Sequence, residues 1–177
     1  MAVAGNTNTP YIAKRAATLV TSGTAAVAFV TNQDATKTAS VYLPVTTQTA
    51  MRGVIRAWGR VSTGTSGTFL AKIQFGTNTT ATSNTDMASL AAQTVATTGN
   101  WELESQFIWD STTKKLRGRM TGVSGDTPVI LAAAVNTAVI STVDLSTSGN
   151  GLTVAVVFGT GNAANTAVLE GFTLEVQ

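Results

Sequence analysis

Residues 101–121 read Trp-Glu-Leu-Glu-Ser-Gln-Phe-Ile-Trp-Asp-Ser-Thr-Thr-Lys-Lys-Leu-Arg-Gly-Arg-Met-Thr. Apolar and polar side chains alternate on either side of a polar centre at residues 110–113, the pattern of an antiparallel hairpin. Folding about that centre sets Phe107 opposite Leu116 and Leu103 opposite Met120, with Trp101 and Trp109 extending the same row. The other face pairs Glu104 with Arg119 and Gln106 with Arg117. A slip of one residue would turn the aromatic row to water and the charges to the core, so this register is expected to be strongly specified. Exposed charge pairs contribute only about 0.2 to 1 kcal/mol each, so apolar burial decides the fold here.

The rest of the chain has the composition such a hairpin needs around it. Thr is the commonest polar residue, accompanied by many Ala, Gly and Val and by few Leu, Glu or Lys. β-Branched Thr and Val suit a pleated, half-covered surface, which favours an all-β protein. At 177 residues the chain suits a single domain that buries roughly 70% of its unfolded surface. Charged residues make up 11% and mean hydropathy is +0.21. No apolar run approaches the ~18 residues of a membrane-spanning helix, so the apolar surplus belongs on buried sheet faces or under a partner.

There is no Cys and no His. That removes disulfide frameworks, thiolate sites, the usual zinc sites and His-based triads. A net charge of +2 does not argue for nucleic acid.

Taken in order, residues 1–12 lack the basic and apolar regions of a signal peptide. They read as small, polar and extended, with Pro10 biasing Thr9 toward the β or polyproline region. Such a stretch is either a frayed terminus or an arm that lies on a neighbouring subunit. The division is therefore an arm over 1–13 and one β-sandwich domain over 14–177. Residues 16–20 form a strand or one helical turn, and 25–30 and 40–43 are short strands.

Residues 51–63 make a long strand with Met51, Ile55, Ala57 and Val61 inward. Arg52, Arg56 and Arg60 share its other face with Val54 and Trp58. This basic ladder either pairs with carboxylates on adjacent strands, its stems covering Trp58, or meets an acidic partner. Residues 68–75 return as a strand, giving a second hairpin with 51–63. A polar loop over 76–86 is closed by a short helical turn at 87–92, with Asp86 as N-cap. Strands then follow at 128–135, 138–145, 152–158 and 167–176. A turn signal about every 8 to 12 residues points to a sandwich or barrel.

Four patterns mimic catalytic or ligand motifs. Gly159-Thr160-Gly161-Asn162-Ala163-Ala164 fits a dinucleotide fingerprint, but it leads into a strand where that site needs a helix. Ser111-Thr112-Thr113-Lys114 matches the acyl-transfer S-x-x-K pattern and falls in the hairpin turn. Glu102 and Glu104 share a strand face about 7 Å apart, yet Arg117 and Arg119 on the facing strand keep both ionised. Asp126 and Asp144 stand singly in turns, without the acidic loop of a calcium site. No catalytic residue, metal site or cofactor is expected, and the chain is not read as an enzyme. Trp58 is the aromatic to watch as a sugar-binding platform.

Several short signatures recur together: Arg56-Ala57-Trp58-Gly59-Arg60-Val61, Ile73-Gln74-Phe75-Gly76-Thr77, Gly99-Asn100-Trp101, Trp109-Asp110-Ser111-Thr112, Leu116-Arg117-Gly118-Arg119 and Gly171-Phe172-Thr173-Leu174-Glu175-Val176. Over residues 51–177 this succession resembles the small β-sandwich structural proteins of tailed-phage virions. Among these, the capsid decoration or cement proteins imply an antiparallel, jelly-roll-like β-sandwich with an extended N-terminal arm. They imply a homotrimer on the capsid exterior of a bacteriophage, made in the cytoplasm of the bacterial host. There it would stabilise the shell by bridging neighbouring major capsid protein subunits. Asn6, Thr7, Pro10 and Tyr11 of the arm, with Arg52, Arg56, Trp58 and Arg60, are then the candidate capsid contacts. No nucleic acid, membrane or small-molecule substrate is expected as a partner. The alternative is a receptor- or glycan-binding module of a phage fibre or tail that uses Trp58.

Overall fold

The computed structural model describes residues 11–13, 17–20, 24–25, 27–29, 40–43, 46–64, 67–76, 83–95, 98–124, 129–131, 133–134, 139–146 and 150–177. The strands are β1 (Tyr11–Ala13), β2 (Ala17–Val20), β3 (Val27–Ala28), β4 (Ser40–Tyr42), β5 (Ala50–Ser62), β6 (Gly67–Gly76) and β7 (Thr85–Leu90). They continue with β8 (Gln93–Val95), β9 (Thr98–Asp110), β10 (Lys115–Ser124), β11 (Val129–Leu131), β12 (Ala133–Ala134), β13 (Gly151–Phe158) and β14 (Thr166–Val176).

These strands form two antiparallel seven-stranded sheets packed as a sandwich. The first runs β1-β14-β5-β9-β10-β11, with β2 beside β1 on the same edge of β14. The second runs β12-β7-β6-β13-β3, with β4 also on β13 and β8 also on β6. The all-β sandwich expected from composition and turn rhythm is what the chain adopts. No helix among the described residues is long and apolar enough to cross a membrane.

The core follows from strand alternation. Along β5 and β9, which pair over thirteen residues, buried and more exposed positions alternate. Met51, Ile55, Ala57 and Val61 point inward beside Trp101, Leu103, Phe107 and Trp109. The second sheet answers with Phe69, Ala71 and Ile73 of β6 and Leu152, Val154, Val156 and Phe158 of β13. Burying each large side chain contributes about 1.5 to 3 kcal/mol, so these rows dominate the stability. Trp101 ties the layers together, its ring 6.0 Å from Phe29 and 6.1 Å from Phe69, while Phe69 lies 5.7 Å from Phe158. The indole N–H of Trp101 donates to the Arg60 carbonyl and that of Trp109 to the Val143 carbonyl, so neither buried donor is left open.

The β9–β10 hairpin keeps the expected faces, but its register differs by two residues. Leu116 pairs with Trp109, Gly118 with Phe107, Met120 with Ser105 and Thr121 with Glu104. The cause is turn chemistry. The Asp110 carboxylate accepts from the Thr112 and Thr113 amides and from the Thr113 hydroxyl, and Lys114 takes a positive φ of 52°. A four-residue loop over 111–114 therefore joins Asp110 directly to Lys115.

Four other expectations are corrected. β5 and β6 do not form a hairpin: both edges of β5 are taken, by β14 and β9, and β6 lies in the opposite sheet. Residues 87–92 are not a helical turn, since Thr85–Leu90 is β7. A bulge leaves Met87 unopposed between the Ile73–Ala88 and Gln74–Asp86 pairs, so Met87 and Ala88 are both buried and the period of two is broken. Asp86 does not cap a helix; its carboxylate accepts from Lys72 at 2.9 Å and Gln74 at 2.8 Å. The single strand expected over 128–135 divides into β11 on the first sheet and β12 on the second.

Within 138–145 the described residues make one bridge, Ile140 to Leu116, rather than a strand. Thr142 has φ 67°, and Asp144 accepts from the amide and hydroxyl of Ser146, so the segment turns over Trp109. The N-terminal arm is described only from Tyr11, and Tyr11–Ala13 pairs with β14 of the same chain.

A candidate recognition face on the first sheet

The outer face of the first sheet is built by alternate residues of β14, β5, β9 and β10. Register sets its rows. Trp58 lies between Gly171 and Glu102, Arg56 between Thr173 and Glu104, Val54 between Glu175 and Gln106, and Arg52 beside Ile108. Rows two residues apart stand about 7 Å apart along the strands, and neighbouring strands about 4.8 Å apart.

Trp58 is the large aromatic that this face offers to solvent, at 37% exposure. Its position has a backbone cause. β14 bulges between Leu169 and Gly171, putting both Glu170 and Gly171 on the outer side. Gly171 has no side chain to hold the neighbouring indole away, and a methyl group there would stand 2.5 Å from Trp58 Cζ2 and 3.0 Å from Cε2. Glu170, displaced by the bulge, meets Arg60 at 2.6 Å.

On the other side of Trp58 along β5, Arg56 is held by two carboxylates, Glu104 at 2.7 Å and Glu175 at 2.9 Å. The hydrogen bond that Arg56 donates to Glu104, together with the charge of that carboxylate, is the main reason the Arg56 guanidinium is pushed above its ordinary pKa. The pairing of ladder arginines with adjacent-strand carboxylates, one of the two readings made from sequence, thus describes Arg56 and Arg60. No guanidinium stacks on Trp58 among the described residues.

Arg52 behaves differently. It lies in a shallow basin of ≈ 460 Å³ with Gln106, Ile108, Arg117, Arg119 and Glu175. Ile108, one of the basin's lining residues, is 50% exposed. Arg52, Arg117 and Arg119 have no carboxylate within ion-pair distance among the described residues, although Arg117 acts weakly on Asp110 from farther away. The expected partners of Arg117 and Arg119 were Gln106 and Glu104. The register puts Ile108 opposite Arg117, Gln106 opposite Arg119, and Thr121 opposite Glu104, which turns instead to Arg56.

Of the eight candidate contact residues, Arg52, Arg56, Trp58 and Arg60 are therefore on one face, and Arg52 stands apart from the paired two. Asn6, Thr7 and Pro10 lie outside the described residues, and Tyr11 is placed by its backbone opposite Leu174. Arg117, Arg119, Ile108 and Gly171 were not among the contact residues expected from sequence. The Asp-Ser-Thr-Thr-Lys-Lys turn carried the register information that would have exposed the two arginines.

The motif mimics take ordinary structural roles. The 111–114 segment is the hairpin turn, and 159–165 crosses from β13 in one sheet to β14 in the other, braced by Asn162 and Asn165 side chains. Glu102 and Glu104 stand side by side on an open sheet. Among the described residues no group of three or more Asp or Glu gathers as a metal site would require.

No protein-family model and no curated protein matches the sequence. Among solved structures, arcelin-5, a lectin-like defense protein from Phaseolus vulgaris, is similar over 98% of this chain and 94% of its own, at 8% identity and TM-score 0.40. A Lotus tetragonolobus seed lectin is similar over 77% of this chain and 78% of its own, at 11% identity and TM-score 0.39. The CBM2 module of the evolved Dit of Lactobacillus casei BL23 phage J-1 is similar over 77% of this chain and 67% of its own, at 10% identity and TM-score 0.29. At these TM-scores none of them bears on what the chain binds.

Proposed function

We propose that this chain is a non-catalytic recognition module that binds a saccharide on the outer face of the first sheet, with Trp58 as its stacking platform. The observation that carries this reading is the seat of Trp58 over Gly171, half open to solvent and framed by ion-paired Arg56 and Arg60. An indole presents a broad apolar face to the C–H side of a sugar ring, while guanidinium and carboxylate groups around it can exchange hydrogen bonds with the hydroxyls. Strands hold these groups in place before a ligand arrives, which limits the entropy lost on binding. Glycoside hydrolysis would need two carboxyl groups flanking the scissile bond. Here Glu104 is engaged by Arg56 and Gln106 on an open sheet, and Glu102 stands beside it on the same strand rather than across a cleft.

The test is a binding survey across neutral and acidic oligosaccharides with the wild-type chain and Trp58→Ala. Saccharide binding that falls tenfold or more (about 1.4 kcal/mol) in a folded Trp58→Ala protein is expected. Binding that ignores the substitution, or no saccharide binding at all, overturns the reading.

A second reading is favoured by Ile108, an exposed branched apolar side chain beside arginines that have no ion-pair partner among the described residues, which suits a protein contact. On that reading the chain is a decoration protein on a capsid exterior, a homotrimer that bridges major capsid subunits through many modest contacts and an N-terminal clasp. Deleting residues 1–12 and measuring occupancy on expanded capsids tests it. Unchanged occupancy and shell stability would rule out the clasp.

A further inference from the structure

We infer that the Arg52–Arg117–Arg119 basin is an anion subsite that takes the carboxylate or sulfate of an acidic saccharide lying across the same face as Trp58. The inference rests on the saccharide reading above and adds the ligand's chemical class. It starts from a contrast on one sheet face. Arg56 and Arg60 are each neutralised by carboxylates at 2.6 to 2.9 Å, whereas Arg52, Arg117 and Arg119 have no such partner among the described residues.

The spacing suits one anionic group. Arg117 and Arg119 occupy alternate positions of β10, about 7 Å apart, and Arg52 lies across β9 from Arg117, two strand spacings or about 10 Å away. Ile108 stands between Arg52 and Arg117 and supplies an apolar floor. Arginine side chains are long enough to converge over it, and a guanidinium can grip a carboxylate or sulfate through two parallel N–H donors. Gln106 lines the basin from the middle strand, its side-chain amide donating to Glu104 at 3.3 Å.

Neighbouring groups narrow the ligand further. Glu175 lines the basin and is paired with Arg56 at 2.9 Å, and Glu102, Glu104 and Glu170 lie on the same face outside it, so a densely charged strand such as a nucleic acid would meet repulsion along most of its length. A chain with an isolated acidic group and otherwise neutral rings avoids that penalty. A basin of ≈ 460 Å³ lies within the size range of small-ligand sites, roughly 300 to 1,000 Å³. The Arg52 row is three alternate positions from Trp58, about 20 Å along the strand, so a short oligosaccharide can touch both.

The experiment compares neutral oligosaccharides with uronic-acid and sulfated counterparts by calorimetric titration of the full chain, at low and high salt. The proteins are wild type, Trp58→Ala, Arg117→Gln/Arg119→Gln, and Lys115→Gln as a control for net charge. The expected result is roughly tenfold tighter binding of acidic ligands, reduced by salt. The double Arg substitution should erase that preference while neutral ligands bind as before, and Trp58→Ala should weaken both classes. Saccharide binding without preference for acid, or a preference that survives the double substitution, overturns the inference and leaves the saccharide reading standing. No saccharide binding, with or without capture of an acidic peptide, overturns both.

Discussion

Trp58 rests on Gly171, one strand away, because a bulge at the preceding residue of β14 brings that glycine under the indole. The relationship makes the glycine a handle on the platform. Gly171→Ala should force the ring off its seat, because the new methyl would lie 2.5 Å from Cζ2. The ring can swing toward solvent, so the stability cost should stay within about 1 kcal/mol, typical of an ordinary substitution. Saccharide affinity should fall nearly as far as in Trp58→Ala, and tryptophan fluorescence together with thermal melting would separate the two effects.

A different glycine sets packing inside the sandwich. Phe107 pairs with Gly53 on β5 and Gly118 on β10, and a methyl at Gly53 would collide with the Phe107 ring and stand 2.7 Å from the Glu175 carbonyl oxygen. Gly53→Ala should cost about 1 to 3 kcal/mol by overpacking. Phe107→Ala should cost about 3 to 5 kcal/mol by leaving a cavity. The double variant should lose less than the sum, since the smaller residue 107 makes room for the methyl. Urea unfolding of the three proteins measures the coupling, and strict additivity would refute it.

Ser105 sits in the core of β9 between Ile55 and Met120, fully buried, with no partner for its hydroxyl among the described residues. A buried hydroxyl without a hydrogen bond is a cost to the fold. Ser105→Ala should therefore raise stability by about 1 kcal/mol. A lower urea midpoint for this variant would mean that the hydroxyl finds a partner in solution.

The hairpin turn should carry an acid dependence. Hydrogen bonds from the Thr112 amide, then from the Thr113 hydroxyl, hold the Asp110 carboxyl below its ordinary pKa, and Ser146 does the same for Asp144. Because the folded value is the lower one, each contribution is present above the unfolded carboxylate pKa and is lost as pH falls through the folded value. Asp110→Asn should melt earlier than wild type at neutral pH, and the gap should close on acidification below the usual carboxylate range. A gap that stays constant across that range would show that the charge is irrelevant.

Local patterning read the sheet faces well and the strand partners poorly. The alternation in 51–63 and 101–121 assigned every large inward side chain of β5 and β9 correctly, because burial on one face fixes parity. Register depended on how Asp110 closes its turn, a hydrogen-bonding detail that alternation does not encode. Met87 shows a second limit, since a bulge makes two consecutive residues buried and imitates a helix. The pairing of β5 with β14 and β9 rather than β6 is a third, because both neighbours of Gly64 are good strands and nothing local says they belong to different sheets. The outer face of the first sheet inherited these limits: Trp58 was visible as an odd outward aromatic, whereas Arg117 and Arg119, without an ion-paired carboxylate among the described residues, became visible only with the true register.

β14 joins β5 on one side and both β1 and β2 on the other. During synthesis, then, β1 and β2 have no edge of β14 to dock on until residues 166–176 have left the ribosome. Such widely separated pairings slow folding. A ribosome stalled before residue 166 would therefore hold Tyr11–Ala13 and Ala17–Val20 without the strand they pair with.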